Sequence, residues 1–131
     1  MPVKDSLLFV YGTLRPGFDG AMAGWIRSVA RHLGGATAQG RLYQVDGYPA
    51  FVPGGSERVV GDLFALPDAI AILAILDEHE ECAEHFPDPH EYRRERLTVR
   101  GENGPVEAWA YIYNRDVGAL ARIENGDFLA R

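Results

Sequence analysis

Apolar residues run unbroken or alternate in five stretches of this chain and recur at helical spacing in two more, with glycine and proline at most breaks. Ser6 to Tyr11 is a continuous run of strand formers stopped by Gly12, which predicts a buried strand entering a loop over Gly12 to Gly20. From Ala21, the residues Met22, Trp25, Ile26, Val29 and Leu33 share one helical face, Arg27, Arg31 and His32 fall off it, and Gly34-Gly35 stops it. Thr37 to Val45 alternates partially and predicts a second strand. Turn chemistry at Gly47-Tyr48-Pro49 and at Pro53-Gly54-Gly55 flanks a short apolar Ala50-Phe51-Val52. Val59 to Leu66 reads as a third strand, with Gly61 at a bulge or a close backbone approach.

Pro67 at a first helical position and Asp68 in the first turn open a helix from Ala69 to about Glu80, apolar nearly all round and acidic at its end. Glu81 to Glu91, with Pro87 and Pro89, reads as an exposed loop. Tyr92 to Arg100 and Val106 to Tyr113 are the fourth and fifth strands, joined by a turn at Gly101 to Pro105. The tail from Gly118 to Arg131 holds a polar turn at Glu124 to Asp127 and predicts a short helix followed by an arm. This mixed order predicts an α+β fold, a small mixed five-stranded β-barrel-like curved sheet with flanking helices. No repeat or linker interrupts the 131 residues, so residues 1–131 are expected to form one domain.

Charge narrows the function classes. Thirteen Lys and Arg against nineteen Asp and Glu give a net charge of −6, which argues against a phosphate-backbone partner and so against nucleic acid. The longest apolar stretch, Ala69 to Leu76, falls far short of the roughly twenty residues a membrane span needs. Met1 to Asp5 leads into the first apolar run with only Lys4 as a positive charge and no small-residue cleavage site, so no secretory signal is expected. Cys82 is the single cysteine, which fits a reducing compartment, and the chain is expected to be cytoplasmic. Fifteen glycines and eight prolines are the one unusual feature.

Three constellations carry candidate chemistry. In Phe9 to Gly17 a strand ends on Gly12, so successive backbone N–H groups can form a concavity for an anion; an ordinary strand-to-loop turn fits the same spacing, and the P-loop ending is absent. In Leu76 to Glu81, acids crowd the helix end where the dipole prefers cations, and Asp77 and Glu80 share a face. These acids are either a solvated face or include one carboxylate turned inward and made a base. His79, Cys82, His85 and His90 could hold a metal ion, but their spacing matches no metal motif, and an exposed polar loop fits them as well. The acidic neighbours of Cys82 raise a thiol's pKa, which disfavours a nucleophile there.

Taken in order, Phe9-Val10-Tyr11-Gly12-Thr13-Leu14, Gly47-Tyr48-Pro49-Ala50, Val60-Gly61-Asp62-Leu63-Phe64, Leu76-Asp77-x-x-Glu80, Tyr92-Arg93-Arg94 and Ala108-Trp109-Ala110-Tyr111-Ile112-Tyr113 resemble the gamma-glutamylcyclotransferase superfamily, in the branch of gamma-glutamylamine cyclotransferases and AIG2-like proteins. The resemblance spans about residues 6 to 115 and implies a barrel-like sheet of five strands with a few flanking helices. It further implies a small-molecule gamma-glutamyl substrate. Tyr11, Gly12, Thr13 and Leu14 would hold the gamma-glutamyl group largely through backbone N–H groups. Glu80 would be the catalytic acid/base, and Tyr113 a strand-end tyrosine facing the cavity. Such an enzyme releases 5-oxoproline when the substrate's own α-amine attacks its γ-carbonyl, so no metal and no cofactor is called for. A non-catalytic binding module for a small carboxylate metabolite is the alternative use of the same pocket. This chain departs from the family pattern at Glu81, where the family often carries glycine, and in the length of Glu81 to Glu91.

Overall fold

In the computed structural model, which describes residues 5–130, β1 (Ser6–Val10) is followed by α1 (Ala21–Val29), β2 (Arg31–Gln44) and β3 (Pro49–Leu66). Then come α2 (Ala69–His79), β4 (Tyr92–Gly101), β5 (Gly104–Tyr113), β6 (Ala121–Ile123) and a one-turn 3-10 helix at Phe128–Ala130. Of the N-terminal expectation only Asp5 lies within the described residues, and the end of the expected arm at Arg131 lies outside them. No helix among the described residues is long and apolar enough to cross a membrane.

The strands form one mixed sheet in the order β3-β1-β5-β4-β2-β6, and β2 also pairs with β3. Five strands thus close into a ring. Two of its joints are single register pairs, the parallel Leu8↔Trp109 of β1 with β5 and Thr37↔Arg100 of β2 with β4. The result is a strongly curved sheet rather than a continuously hydrogen-bonded barrel, with β6 added outside the ring on Leu42 to Gln44 of β2.

Alternation along the strands divides the core. Phe9 and Tyr11 of the β1 segment join Leu42, Phe51, Val59, Ala108, Ala110 and Ile112 in one cluster. Leu8 and Val10 point the other way and join Ile26, Phe64, Leu73, Leu76 and Tyr111, from the helices and the outer side of the sheet. Burial on both faces is why Ser6 to Tyr11 shows no polar alternation.

The structure corrects four local expectations and, at Gly61, decides between the two readings offered. The first helix ends at Val29, not Leu33, because Arg31 and His32 are captured by pairing with Ala65 and Phe64. Leu33 then falls at a register shift and is exposed. Pro53-Gly54-Gly55 does not end a strand; the register jumps from Gly40↔Pro53 to Gln39↔Arg58, so residues 54–57 are extruded while the hairpin continues. Gly61 has no register shift and is a close approach, since a Cβ there would lie 2.2 Å from the Val10 carbonyl oxygen. Asp68 is the N-cap of α2, its carboxylate accepting from the Ala71 N–H at 3.5 Å, and this displaces Pro67 from the first helical position. The tail begins with β6 instead of a helix, and the short helix follows it.

Candidate active site

Where β1 ends, the chain passes Tyr11 and turns through Gly12, Thr13 and Leu14, the Arg15 N–H returning to the Gly12 carbonyl at 3.0 Å. Gly12 is obligatory on steric grounds: a Cβ would sit 2.5 Å from Cγ of the Pro49 ring. That contact explains why the Gly47-Tyr48-Pro49 turn matters to a loop far from it in sequence. Arg15 fixes the far side of the loop, donating to Asp62 of β3 at 2.9 Å and to Asp127 of the tail at 2.7 Å. The amide N–H groups of Gly12, Thr13 and Leu14 find no acceptor among the described residues.

The other wall comes from the end of α2. Its last turn closes as a Schellman motif, with Cys82 N–H on the Asp77 carbonyl at 2.9 Å and Glu81 N–H on the Glu78 carbonyl at 3.1 Å. Glu81 occupies the left-handed position of this motif at φ 55°, the place glycine fills most easily. Glu80, the residue before it, caps the helix and faces a cavity of about 360 Å³. The cavity is lined by Tyr11 to Leu14 on one side and by Tyr48, Pro49, Glu91 and Tyr92 on another. No Lys or Arg among the described residues lines it.

Glu80 keeps partial exposure, yet protein surrounds its carboxyl closely enough to control its acidity. Burial first, and then the charge of Glu91, push its pKa up from 4.5 to about 7. Tyr11 is buried; its hydroxyl donates to the Tyr111 carbonyl and accepts from the Phe51 N–H, and burial holds it neutral. Tyr48 donates to Glu91 Oε2 at 2.7 Å, and Tyr92 donates to the Pro49 carbonyl at 2.7 Å. Burial raises both phenols above their ordinary range.

The structure therefore brings Tyr11, Gly12, Thr13, Leu14 and Glu80 to one cavity. Tyr113 is not in its lining; it packs edge-on to Tyr92, centroids 5.4 Å apart. Of the acids at the helix end, Glu80 and Asp77 turn inward, whereas Glu78 and Glu81 are exposed. Tyr48 and Tyr92 of the lining stand inside ordered motifs, whereas Glu91 lies outside all of them.

The histidines are dispersed. His85 pairs with Glu78, and His90 reaches the Phe86 carbonyl at 3.2 Å. No group of three or more His, Cys, Asp or Glu among the described residues is placed to hold a metal. Burial, then Asp77 and Glu80, push the Cys82 thiol up to about 12, which leaves it protonated at neutral pH.

Comparison with known proteins agrees with this geometry. The family model for gamma-glutamyl cyclotransferase, AIG2-like, matches residues 8–130. The chain is 33% identical over 126 residues to the gamma-glutamylcyclotransferase family protein YtfP of Escherichia coli, covering 95% of this chain and 96% of that one. It is 28% identical over 123 residues to bovine gamma-glutamylaminecyclotransferase, where the match covers 79% of this chain but only 63% of the bovine protein. A mouse AIG2-like protein superposes with a TM-score of 0.72 over 93% of this chain and 88% of its own, at 23% identity. The solution structure of Escherichia coli YtfP superposes with a TM-score of 0.64 over 95% and 97%, at 31% identity. The fold, the ordered motifs and these matches together place the chain in the gamma-glutamyl cyclotransferase, AIG2-like family.

Proposed function

We propose that the protein is a gamma-glutamyl cyclotransferase that releases 5-oxoproline and an amine or amino acid from a gamma-glutamyl amide. The observation that carries this reading is the pairing, across one cavity, of amides at Gly12 to Leu14 that find no acceptor among the described residues with a Glu80 carboxyl whose pKa is raised to about 7. The substrate contributes its own nucleophile. Glu80 as carboxylate takes a proton from the α-ammonium, whose ordinary pKa is about 8. The freed amine attacks the γ-carbonyl, a C–N bond forms, and a five-membered ring closes.

The amides of Gly12, Thr13 and Leu14 supply neutral donors for the substrate's carboxylate or for the oxygen that gains charge. Neutral donors suit a cavity whose charged lining is acidic, because they bind an anion without a cation. Collapse then breaks the γ-carbonyl–nitrogen bond as Glu80 returns the proton to the leaving nitrogen, and the ring nitrogen gives up its second proton to the departing amine, which leaves as an ammonium. A group with a pKa of about 7 serves both steps at neutral pH. Tyr11, held at both sides of its hydroxyl, keeps the loop at its distance from Glu80.

The test is incubation of purified protein with a panel of gamma-glutamyl amines and gamma-glutamyl amino acids, with 5-oxoproline read by mass spectrometry. Release from at least one member supports the reading. Thermal shifts with panel members but no product would assign the pocket to binding alone.

A further inference from the structure

One turn before Glu80, the Asp77 carboxylate leaves the cavity and enters the sheet. Arg94 of β4 grips it with two parallel hydrogen bonds, Nε to Oδ1 at 2.9 Å and Nη2 to Oδ2 at 3.2 Å. The Tyr111 hydroxyl of β5 donates to Oδ1 at 2.8 Å. Arg94 itself lies over Trp109, its guanidinium carbon 4.4 Å from a ring centroid. The backbone carbonyl of Asp77 accepts the Cys82 N–H that closes the Schellman turn around Glu80 and Glu81.

Tyr111 is shared. Its hydroxyl holds Asp77, while its carbonyl accepts from the Tyr11 hydroxyl at the root of the Gly12 to Leu14 loop. Tyr111 therefore ties the root of the Gly12 to Leu14 loop, through its backbone, to the helix end that carries Glu80, through its side chain. The remaining grip of α2 on the sheet is through buried Ile72, Leu73 and Leu76. Apolar burial constrains rotation weakly in a helix that is apolar nearly all round, as exposed Ile70 and Ile75 show for α2, whereas a bidentate ion pair fixes one residue in place.

We propose that Asp77, clamped by Arg94 and Tyr111, is the positioning residue that sets the distance and orientation of Glu80 relative to the Tyr11 to Leu14 loop. The inference rests on the catalytic reading of Glu80 given above. Asp77 is not in the cavity lining; it acts by holding the turn on which Glu80 stands. An ion pair serving stability alone would lower the melting temperature when broken and leave the chemistry of surviving folded molecules unchanged.

Tyr111→Phe and Asp77→Asn separate these outcomes, with wild type and Glu80→Gln measured beside them. Tyr111→Phe changes no charge and keeps the Tyr11 contact to the backbone, so it decides the matter if Asp77→Asn fails to fold. Two readouts are taken on folded protein: kcat and KM for 5-oxoproline release, and the titration of the Glu80 carboxyl by carbon-13 NMR. The other titratable groups around Glu80 are Tyr11 from the end of β1, Tyr48 between β2 and β3, Tyr92 of β4, Tyr111 of β5, Cys82 and Glu91 between α2 and β4, and the flanking His79 and Glu81. Apart from removing its own hydroxyl, Tyr111→Phe alters none of them.

The expected result is a loss of about ten- to hundredfold in kcat with KM changed less than about threefold. The Glu80 midpoint also moves down toward the ordinary carboxylate range as water reaches a loosened helix end. Unchanged kcat with an unchanged Glu80 midpoint overturns the inference, and so does a rise in KM alone. If wild type releases no product from any substrate, the functional reading fails, and the NMR titration alone then decides the positioning role.

Discussion

Replacing Glu80 by Gln should stabilise the fold at alkaline pH and leave it unchanged in acid. The cavity holds the Glu80 carboxyl at about 7, whereas the unfolded chain returns it to about 4.5. Below pH 4.5 the group is protonated in both states and contributes no difference. As pH rises from about 4.5 to 7, the unfolded chain releases its proton while the folded one retains it, so stability falls. Above pH 7 the folded protein carries a buried anion. At about 1.4 kcal/mol per tenfold change in acidity, the accumulated cost is about 3 kcal/mol. For a chain of 131 residues this corresponds to about 10 °C in melting temperature. Glutamine matches the shape and never ionises. Thermal unfolding of both proteins from pH 4 to pH 8.5 should show curves that coincide at pH 4 and separate steadily, with the variant the more stable. A separation independent of pH, or a less stable variant at pH 8, would refute a desolvated Glu80.

Glu91→Gln removes the one charge that reinforces burial at Glu80, so the Glu80 pKa should fall, by less than burial contributes, and the acid limb of the kcat/KM profile should move to lower pH. Tyr48 keeps an acceptor in that variant, so its melting temperature should change little. Glu81→Gly places glycine at the φ of 55° that closes α2 and should raise stability by about 1 kcal/mol, read by urea unfolding; a loss of stability would contradict the left-handed turn. Gly12→Ala drives a methyl into the Pro49 ring and should cost about 2 kcal/mol together with most activity, whereas wild-type behaviour would mean that the loop and the Pro49 turn are not in contact.

How much the sequence reveals depends on how local the cause is. β1, β4 and β5 are legible because their apolar faces are set by neighbours in the strand. β6 is not, since three residues with only Ile123 buried leave no period to detect. Leu33 fits the helical face of α1 by spacing, and only the distant partners Ala65 and Phe64 draw its neighbours into a strand. Long-range pairing overrides local pattern there.

The candidate site divides in the same way. Glu80 and the Tyr11 to Leu14 loop emerge from their ordered motifs, yet by spacing alone each has an ordinary alternative. Asp77 and Glu80 share a helical face in sequence terms, but their separate destinations are fixed by Arg94 and Tyr111, which the sheet brings in from β4 and β5. Glu91 tunes Glu80 from a loop whose composition suggests only solvent exposure.

The central claim is that Glu80 is the acid/base for ring closure of a gamma-glutamyl amide. Its most direct test is the time course of 5-oxoproline and free amine from one turned-over substrate, with wild type and Glu80→Gln at equal concentration and pH 7.5. The two products should appear in equal amounts from wild type, and Glu80→Gln should be slower by at least about a hundredfold while remaining folded. Equal turnover by the two proteins would contradict the assignment.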